Sequence, residues 1–208
     1  MPIGRLHVLT DFVFQQRRSH AEIAALAIAG GADTIQFRQK TGAVRDRYVE
    51  AVRAAAVCRA DGVPLIVDDH LDLALAVGAA GVHLGQLDLP VEAARRVLGD
   101  AVIGATVTTT AQARDAEAAG ASYLGFGPVF PTQSKRNPAS VKGLDGLAAV
   151  CAAVAIPVIA IAGITPERVA PVIEAGAHGV AVMTAVTTAA DPQAAAAAFR
   201  HALADALR

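Results

Sequence analysis

The chain has 208 residues, of which 54% are hydrophobic and 4% aromatic, and its formal net charge is −1. This balance creates no overall field that would favour nucleic acid or an acidic membrane surface, so any anion must be bound by a local site. The length lies within the range of a one-domain α/β barrel, and we expect a single catalytic domain over residues 1–208.

The N-terminal sequence MPIGRLHVLTDF lacks the long apolar core of a signal peptide. Residues 146–166 contain no charged side chain, but Pro157 and Gly163 interrupt them, which favours a helix, a turn and a buried strand over a membrane span. Cys58 and Cys151 lack metal-site spacing and are expected to be reduced thiols. We therefore expect a soluble cytoplasmic protein with no membrane partner.

Short β-rich runs alternate with alanine-rich helical patterns along the whole chain. We predict strands at 6–10, 34–38, 65–67, 81–84, 102–105, 123–126, 158–161 and 179–183. We predict helices at 21–29, 43–60, 71–77, 91–98, 111–119, 144–154, 166–175 and 192–207. Eight strands that are each followed by a helix are typical of the (β/α)8 TIM barrel.

A doubly wound parallel sheet is the competing fold. It needs fewer strands and usually has a glycine fingerprint after the first of them, where this chain has Thr10, Asp11 and Phe12. The sequence therefore predicts an α/β fold with a single (β/α)8 barrel. His7 and His83 lie within predicted strands, as core or rim residues.

Carboxylates follow two neighbouring strands of this barrel. Asp68 and Asp69 follow the third predicted strand, and Asp88 follows the fourth. Neighbouring parallel strands lie about 4.8 Å apart, so Asp69 and Asp88 are expected side by side at one end of the sheet. Because two such carboxylates repel each other, the pattern predicts a divalent metal between them. Asp68 has a second interpretation, as the cap of the third helix.

Cations and hydroxyls are expected at the same end of the barrel. Strand alternation places Gln36, Arg38 and Lys40 on one face. The long loop 127–142 adds Lys135 and several hydroxyls, which favours an anion-binding lid over a merely solvated surface loop. We therefore predict a metal-bound diphosphate near these cations.

A second anion site is predicted where the last two strands end. Strand seven ends near Gly163 and strand eight near Thr184, and a helix is predicted after each strand. Backbone N–H groups at such positions bind phosphate readily, and barrels often place a phosphate there. The pattern therefore predicts a phosphate near Gly163 and Thr184.

The sequence resembles the thiamine-phosphate synthase family over nearly its whole length. The motifs that carry the resemblance are QFRQK at 36–40, DDHLDLALAVGAAGVHLGQLDLP at 68–90, GFGPVFPTQSK at 125–135, PVIAIAGI at 157–164 and GVAVMTAV at 179–186. The resemblance implies a TIM-barrel transferase of thiamine biosynthesis. It joins a hydroxymethylpyrimidine diphosphate to a phosphorylated hydroxyethylthiazole, and a dissociative mechanism releases diphosphate with Mg²⁺.

The resemblance also implies a role for each matching residue. Asp69 and Asp88 would bind Mg²⁺, and Arg38, Lys40 and Lys135 would be catalytic. The pyrimidine diphosphate would contact Gln36, Arg38, Lys40, Asp68, Thr106 and Lys135. The thiazole phosphate would contact Thr132, Ser134, Gly163, Met183 and Thr184. Gln39 and Gln133, which lie within the same motifs, are also expected to bind substrate.

The chain departs from the usual family pattern at four positions. Asp68 and His70 flank Asp69 where Asn and Arg are usual, Val107 replaces a polar residue, and Ala162 replaces a glycine. Two other functions stay open: a thiazole tautomerase on the same barrel, and a non-catalytic barrel that binds thiamine precursors or phosphates. The tautomerase uses a histidine in the loop after strand six, where this chain has Pro128. The oligomeric state is not specified by the sequence.

Overall fold

The computed structural model describes residues 3–132, 134 and 140–208, in which eight parallel strands close a barrel in sequence order. The strands are β1 Leu6–Thr10, β2 Thr34–Phe37, β3 Leu65–Asp68, β4 Gly81–Leu84, β5 Val102–Val107, β6 Tyr123–Phe126, β7 Val158–Ile161 and β8 Gly179–Val182. Each strand pairs in parallel with its neighbours, and β1 pairs with β8 to complete the ring. The predicted (β/α)8 barrel is confirmed.

Helices follow the strands and surround the barrel. They are α1 His20–Ala29, α2 Val44–Ala60, α3 Leu71–Val77, α4 Val91–Leu98, α5 Thr110–Ala118, α6 Gly143–Ala153, α7 Val169–Glu174, α8 Thr184–Thr187 and α9 Pro192–Ala206. Within the ranges that the structure describes, no helix has both the length and the apolar character needed to cross a membrane.

The predicted helix at 166–175 is wrong in one respect. It divides into a 3-10 turn, Pro166–Arg168, and the α-helix α7. This division places Pro171 in the first turn of α7, where backbone N–H groups have no intrahelical acceptor and a missing N–H costs little. The short helix α8 was not predicted, because a single turn of sequence TAVT carries no helical period.

The barrel has two apolar cores of different size. The large one lies between the strands and the helices, where valines and isoleucines such as Val8, Ile35 and Val67 meet small helix residues such as Ala24 and Ala51. Small side chains on the helices let them pack closely on the parallel strands. The second core lies among the inward-facing residues and comprises Leu9, Tyr123, Ile159 and Ala181.

The strand ends determine where polar side chains can gather. At their carboxyl ends, β2, β3 and β4 continue into the segments that carry Arg38, Asp69 and Asp88. The segment after β6 reaches α6 only at Gly143, in agreement with the long loop predicted at 127–142. Of the residues predicted in that loop, Gln133 and Lys135 lie outside the described part of the chain.

Candidate active site

A cavity of about 680 Å³ opens at the carboxyl ends of the strands. It brings together residues from most of the barrel, as expected for the end at which TIM barrels carry their active sites. The predicted site residues that line it are Gln36, Arg38, Lys40, Asp68, Asp69, Asp88, Thr106, Thr132, Ser134, Gly163, Met183 and Thr184. The residues predicted for the two anion sites and the acidic pair therefore lie around one space, except those outside the described part of the chain.

Three predicted substrate-binding residues stand apart from this set. Gln39 does not line the cavity, and its side-chain amide donates to the backbone carbonyl of Thr41 at 3.2 Å. The alternation that directs Arg38 and Lys40 toward the cavity turns Gln39 away from it. Gln133 and Lys135 lie outside the described residues, so their predicted roles stay predictions.

The acidic pair and the cations form the first half of the site, which we call the charged rim (Asp11, Arg38, Lys40, Asp69 and Asp88). The ammonium group of Lys40 forms an ion pair with Oδ2 of Asp69. Oδ2 of Asp88 accepts a hydrogen bond from the backbone N–H of Gly85 at 2.7 Å. Among the described residues, the second oxygen of each carboxylate accepts no side-chain hydrogen bond, so both can receive a further cation or donor.

Asp69 has an unusual backbone conformation. Its φ is 68°, in the left-handed region that most residues other than glycine avoid. Aspartate and asparagine tolerate this region better than other side chains, at a cost of about 1 kcal/mol. Such residues cluster at functional sites, where the surrounding structure holds them in place.

Arg38 has a partner that the sequence did not indicate. Its guanidinium donates to Oδ2 of Asp11, which is only 1% exposed. The other oxygen of Asp11 accepts hydrogen bonds from the backbone N–H groups of Val13 and Phe14. Asp11 follows β1, so contact between the first and second strand ends fixes the arginine. A carboxylate directly after a strand at the carboxyl end of the barrel was the available signal.

Asp68 is more deeply buried than Asp69 and Asp88. It is the last residue of β3, is 8% exposed, and its Oδ1 has no hydrogen-bond partner in the described part of the chain. Burial raises the pKa of Asp68 to about 8, and the charge of Asp69 acts in the same direction, against Lys40 and Arg38. The alternative that Asp68 caps α3 is wrong: His70 occupies the N-cap position, because β3 extends through residue 68.

Neutral polar side chains form the second half, the polar floor (His7, Gln36, Tyr123, His83 and Thr106). Three of them are almost fully inside the protein, since His7 and Tyr123 are 1% exposed and Gln36 3%, whereas His83 is half-buried. Burial lowers the pKa of His7 and that of His83 to about 4, and it raises the pKa of Tyr123 well above its usual range. All four side chains are therefore neutral at pH 7. His7 and His83 were predicted in strands, whereas Tyr123 was not singled out.

A glycine in β5 makes room for this floor. A Cβ atom at Gly104 would lie 2.4 Å from Nδ1 of His83 and 2.5 Å from the hydroxyl oxygen of Tyr123. Both distances are shorter than any ordinary carbon contact, so an alanine would force the two side chains apart. The β4–β5–β6 register, in which His83 pairs with Gly104 and Gly104 with Tyr123, explains why the three residues meet.

The opposite wall of the cavity contains glycine and hydroxyl groups. Gly163 has a φ of 67°, and a Cβ there would lie 2.5 Å from the carbonyl oxygen of Pro131. The hydroxyls of Ser134 and Thr184 are 2.6 Å apart, which joins the loop after β6 to the start of α8. The closeness of Gly163, Ser134 and Thr184 to one cavity fits the predicted phosphate position.

Comparison with known proteins agrees with this geometry. The sequence model of the family described as "Thiamine monophosphate synthase" matches residues 6–186 of the chain. The chain belongs to this family. A thiamine-phosphate synthase of Salinibacter ruber is 61% identical over 207 residues, which cover 99% of this chain and 91% of the relative. One of Natronomonas pharaonis is 47% identical over 191 residues, which cover 90% of this chain and 89% of the relative.

A solved structure of a family member has the same fold. Thiamine phosphate pyrophosphorylase from Pyrococcus furiosus superimposes with a TM-score of 0.89 and 37% sequence identity. The superposition covers 98% of this chain and 97% of the other. The protein is a transferase of thiamine biosynthesis with thiamine-phosphate synthase activity.

Proposed function

We propose that the cavity joins 4-amino-2-methyl-5-hydroxymethylpyrimidine diphosphate to 4-methyl-5-(2-phosphooxyethyl)thiazole. The products are thiamine phosphate and diphosphate. The charged rim would bind the diphosphate, together with Lys135, and the wall that contains Gly163 and Thr184 would bind the thiazole phosphate. The observation that carries this proposal is that a single cavity is lined by carboxylates, by cations and by a separate hydroxyl- and glycine-rich wall.

The proposed reaction needs charge stabilisation more than it needs a base. The bond between the pyrimidine methylene carbon and the diphosphate oxygen breaks, and its electron pair leaves with the diphosphate. The lone pair of the thiazole nitrogen then forms the new carbon–nitrogen bond, so no proton has to be removed. Arg38, Lys40 and Lys135 would stabilise the leaving group, while the cavity walls would hold the two rings in reacting positions.

The ion pairs of the rim suggest how it accommodates a diphosphate. Arg38 pairs with Asp11 and Lys40 with Asp69, so each of these two cations has a carboxylate partner. Lys40 is 42% exposed, and its flexible side chain can turn from Asp69 to a bound anion. This exchange would free Asp69 at the moment when the diphosphate enters.

The carboxylates of the rim suit Mg²⁺. Mg²⁺ usually takes one or two protein carboxylates and completes its shell with water and substrate phosphate. Asp69 and Asp88 offer two carboxylates, and the residues that the structure describes include no cage of three or more histidine, cysteine or acidic side chains. We propose that these two residues bind Mg²⁺. The ion would neutralise charge on the departing diphosphate.

Product formation with and without metal tests the proposal. The purified protein is incubated with both substrates in Mg²⁺ or in EDTA, and thiamine phosphate and diphosphate are quantified. We expect equal amounts of both products with Mg²⁺ and at least a ~100-fold lower rate in EDTA. Coupling that is unaffected by EDTA would contradict the metal assignment.

A pair of variants tests the metal ligand itself. Asp69→Asn removes the charge and keeps a side chain that tolerates the left-handed backbone, so the barrel should fold. Asp72→Ala is the matched control, because Asp72 is exposed in the first turn of α3 and does not line the cavity. We expect Asp69→Asn to raise the Mg²⁺ concentration needed for half-maximal rate and the control to leave it unchanged. An equal effect of both variants would exclude Asp69 as a ligand.

A further inference from the structure

The polar floor forms one continuous chain of hydrogen bonds across the inside of the barrel. It starts at the carbonyl oxygen of Gly4, which lies 3.2 Å from Nε2 of His7. Nδ1 of His7 lies 2.9 Å from Nε2 of Gln36, and the same nitrogen of Gln36 lies 3.3 Å from the Tyr123 hydroxyl. Between this hydroxyl and Nδ1 of His83 the distance is 3.0 Å. The chain ends at Oγ1 of Thr106, 2.8 Å from Nε2 of His83.

The carbonyl oxygen of Gly4, the first member of this series, fixes the direction of its hydrogen bonds. A backbone carbonyl only accepts, so Nε2 of His7 carries the hydrogen that bonds to Gly4. Because burial lowers the pKa of His7 to about 4, the ring is neutral and has no second hydrogen. Nδ1 of His7 is therefore an acceptor, and the partner that faces it must be the NH₂ group of Gln36.

The same logic continues to the other end. The second hydrogen of the Gln36 amide donates to the oxygen of Tyr123. The buried phenol hydrogen needs an acceptor, and among the described residues Nδ1 of His83 is the one within hydrogen-bond distance, so the phenol donates to it. Because Nδ1 of His83 accepts this hydrogen bond, the hydrogen of the ring is on Nε2. That hydrogen donates to Oγ1 of Thr106, which leaves the threonine hydroxyl hydrogen available to the cavity.

This series of hydrogen bonds leaves one acceptor and one donor at the cavity surface. Oε1 of Gln36 accepts no hydrogen bond from the described residues, so the β2 side presents an acceptor. On the β5 side, Thr106 presents a donor. If the Gln36 amide were reversed, its oxygen would face the lone pair of His7 in a place that water does not reach. Leaving these two acceptors in contact would cost about 1–3 kcal/mol.

We infer that His7, which does not line the cavity, is a positioning residue that fixes the Gln36 amide and so makes the cavity prefer an amino-substituted ring over an oxo-substituted one. A 4-aminopyrimidine has an N–H donor on one side and a ring-nitrogen acceptor on the opposite side, which matches the acceptor of Gln36 and the donor of Thr106. The inference rests on the proposed function for the identity of the substrate. The direction of the hydrogen bonds in the polar floor does not depend on the identity of the substrate.

The direction can be measured in the ligand-free protein. Long-range ¹H–¹⁵N NMR distinguishes the two tautomers of a neutral histidine. At pH 7 we expect both His7 and His83 to carry the hydrogen on Nε2. A hydrogen on Nδ1 of His7 would overturn the inference, and it would do so whether or not the protein couples the proposed substrates.

The consequence for selectivity is tested with two variants of His7. His7→Leu removes the acceptor, whereas the side-chain oxygen of His7→Asn can accept at the position of Nδ1. We compare the aminopyrimidine diphosphate with its 4-oxo analogue. His7→Leu should raise KM for the amino substrate ~10-fold, change kcat less than ~3-fold and lower the preference for amino over oxo ~10-fold. His7→Asn should restore that preference to within ~3-fold of the parent.

The second substrate is an internal control for a purely structural effect. The thiazole phosphate lies at the other wall in the proposed arrangement, so its KM should stay within ~2-fold in both variants. If His7→Leu keeps the full preference for the amino substrate, or if it lowers only kcat, the inference is wrong. Absence of coupling by the unsubstituted protein would instead refute the proposed function and leave the tautomer result intact.

Discussion

Most residues of the charged rim and of the polar floor line the same cavity, but the rim contains ionised groups and the floor contains neutral ones. In the rim, ionised groups pair with one another, and Lys40 in particular is partly exposed and able to change partner. In the floor, buried neutral groups form hydrogen bonds of fixed direction. We infer from this difference that the two halves of the site have different functions. In the proposed function the rim would bind and release a highly charged group, while the floor would discriminate between rings of nearly the same shape.

The largest predicted effect is the loss of a rim cation. Arg38→Met keeps much of the aliphatic length but removes the guanidinium, and we expect kcat/KM to fall ~1,000-fold, or about 4 kcal/mol. The variant also leaves Asp11 buried without its partner, so the free energy of unfolding should decrease. Steady-state kinetics and urea unfolding measure the two effects.

The double variant Asp11→Asn/Arg38→Met separates stability from activity. Removing both charges should recover most of the lost stability, because no unpaired carboxylate remains. Activity should stay low. Recovery of activity in the double variant would show that Arg38 acts only as the partner of Asp11.

The next effect is a gain in the free energy of unfolding when Asp68, the neighbour of Asp69 in the sequence, is replaced. Asp68 has its pKa raised to about 8, so its contribution to stability is present at low pH and is lost as pH rises from about 4 to about 8. Asp68→Asn removes the titration, although the amide must also be buried, and we expect about 3 kcal/mol of stabilisation at pH 8 in EDTA. Urea unfolding at pH 8 and pH 4 measures the gain, which should vanish at pH 4.

The floor should respond to pH with the opposite sign. The pKa values of His7 and His83 are lowered to about 4, so the unfolded chain binds protons that the folded protein does not as pH falls from 6.5 toward 4. Each histidine should cost about 2 kcal/mol of stability between pH 7 and pH 5. Comparison of His7→Asn with the parent protein in urea unfolding isolates one of them. An identical pH slope in both proteins would contradict this assignment.

A smaller effect is expected when the hydrogen bonds at the centre of the polar floor are removed. Tyr123→Phe removes the hydroxyl that joins Gln36 to His83 and leaves the ring in the interior core. We expect a loss of about 1–2 kcal/mol in the free energy of unfolding, since two buried groups lose a partner. Leu147→Val, a change in the outer core away from the cavity, gives a stability-matched control. Only Tyr123→Phe should alter KM for the pyrimidine.

The smallest effect concerns Gln39. Its side chain does not line the cavity, so Gln39→Ala should change kcat/KM less than ~3-fold. A larger loss would show that the segment after β2 rearranges when substrate binds. Gln36→Ala, at a position that does line the cavity, is the comparison and should raise KM for the pyrimidine at least ~10-fold.

Sequence periodicity was enough for the barrel and for the strand ends that carry Arg38, Asp69 and Asp88. The family resemblance added Thr106, Thr132, Ser134 and Met183. The bounds of β1, β4, β6 and β7 match their predicted runs, because buried parallel strands are short apolar runs between glycine-containing joints. Contacts between distant residues were not accessible in this way. Asp11 pairs with Arg38 across 27 positions, and the distance along the chain carries no signal for that contact.

Local conformation explains the remaining differences. Gln39 was included because it lies in a matching motif, although the alternation that selects Arg38 and Lys40 already turns it away. Asp68 was given a capping role because nothing in the sequence marks whether β3 ends before or after it. The direction of the polar floor depends on which nitrogen of His7 faces Gly4, a detail that only the folded chain defines.

The left-handed backbone at Asp69 limits how position 69 can vary in any library of variants. Glutamate carries the same charge, but it lacks the short side chain that eases a φ of 68° and would also place its carboxylate farther from the strand end. Valine and other β-branched residues are disfavoured for the backbone alone. Selection for folding would therefore retain aspartate, asparagine and glycine at this position. If Asp69 binds Mg²⁺ as proposed, selection for turnover at low Mg²⁺ would retain only aspartate. The difference between the two selections measures how much of the constraint on position 69 comes from the backbone and how much from charge.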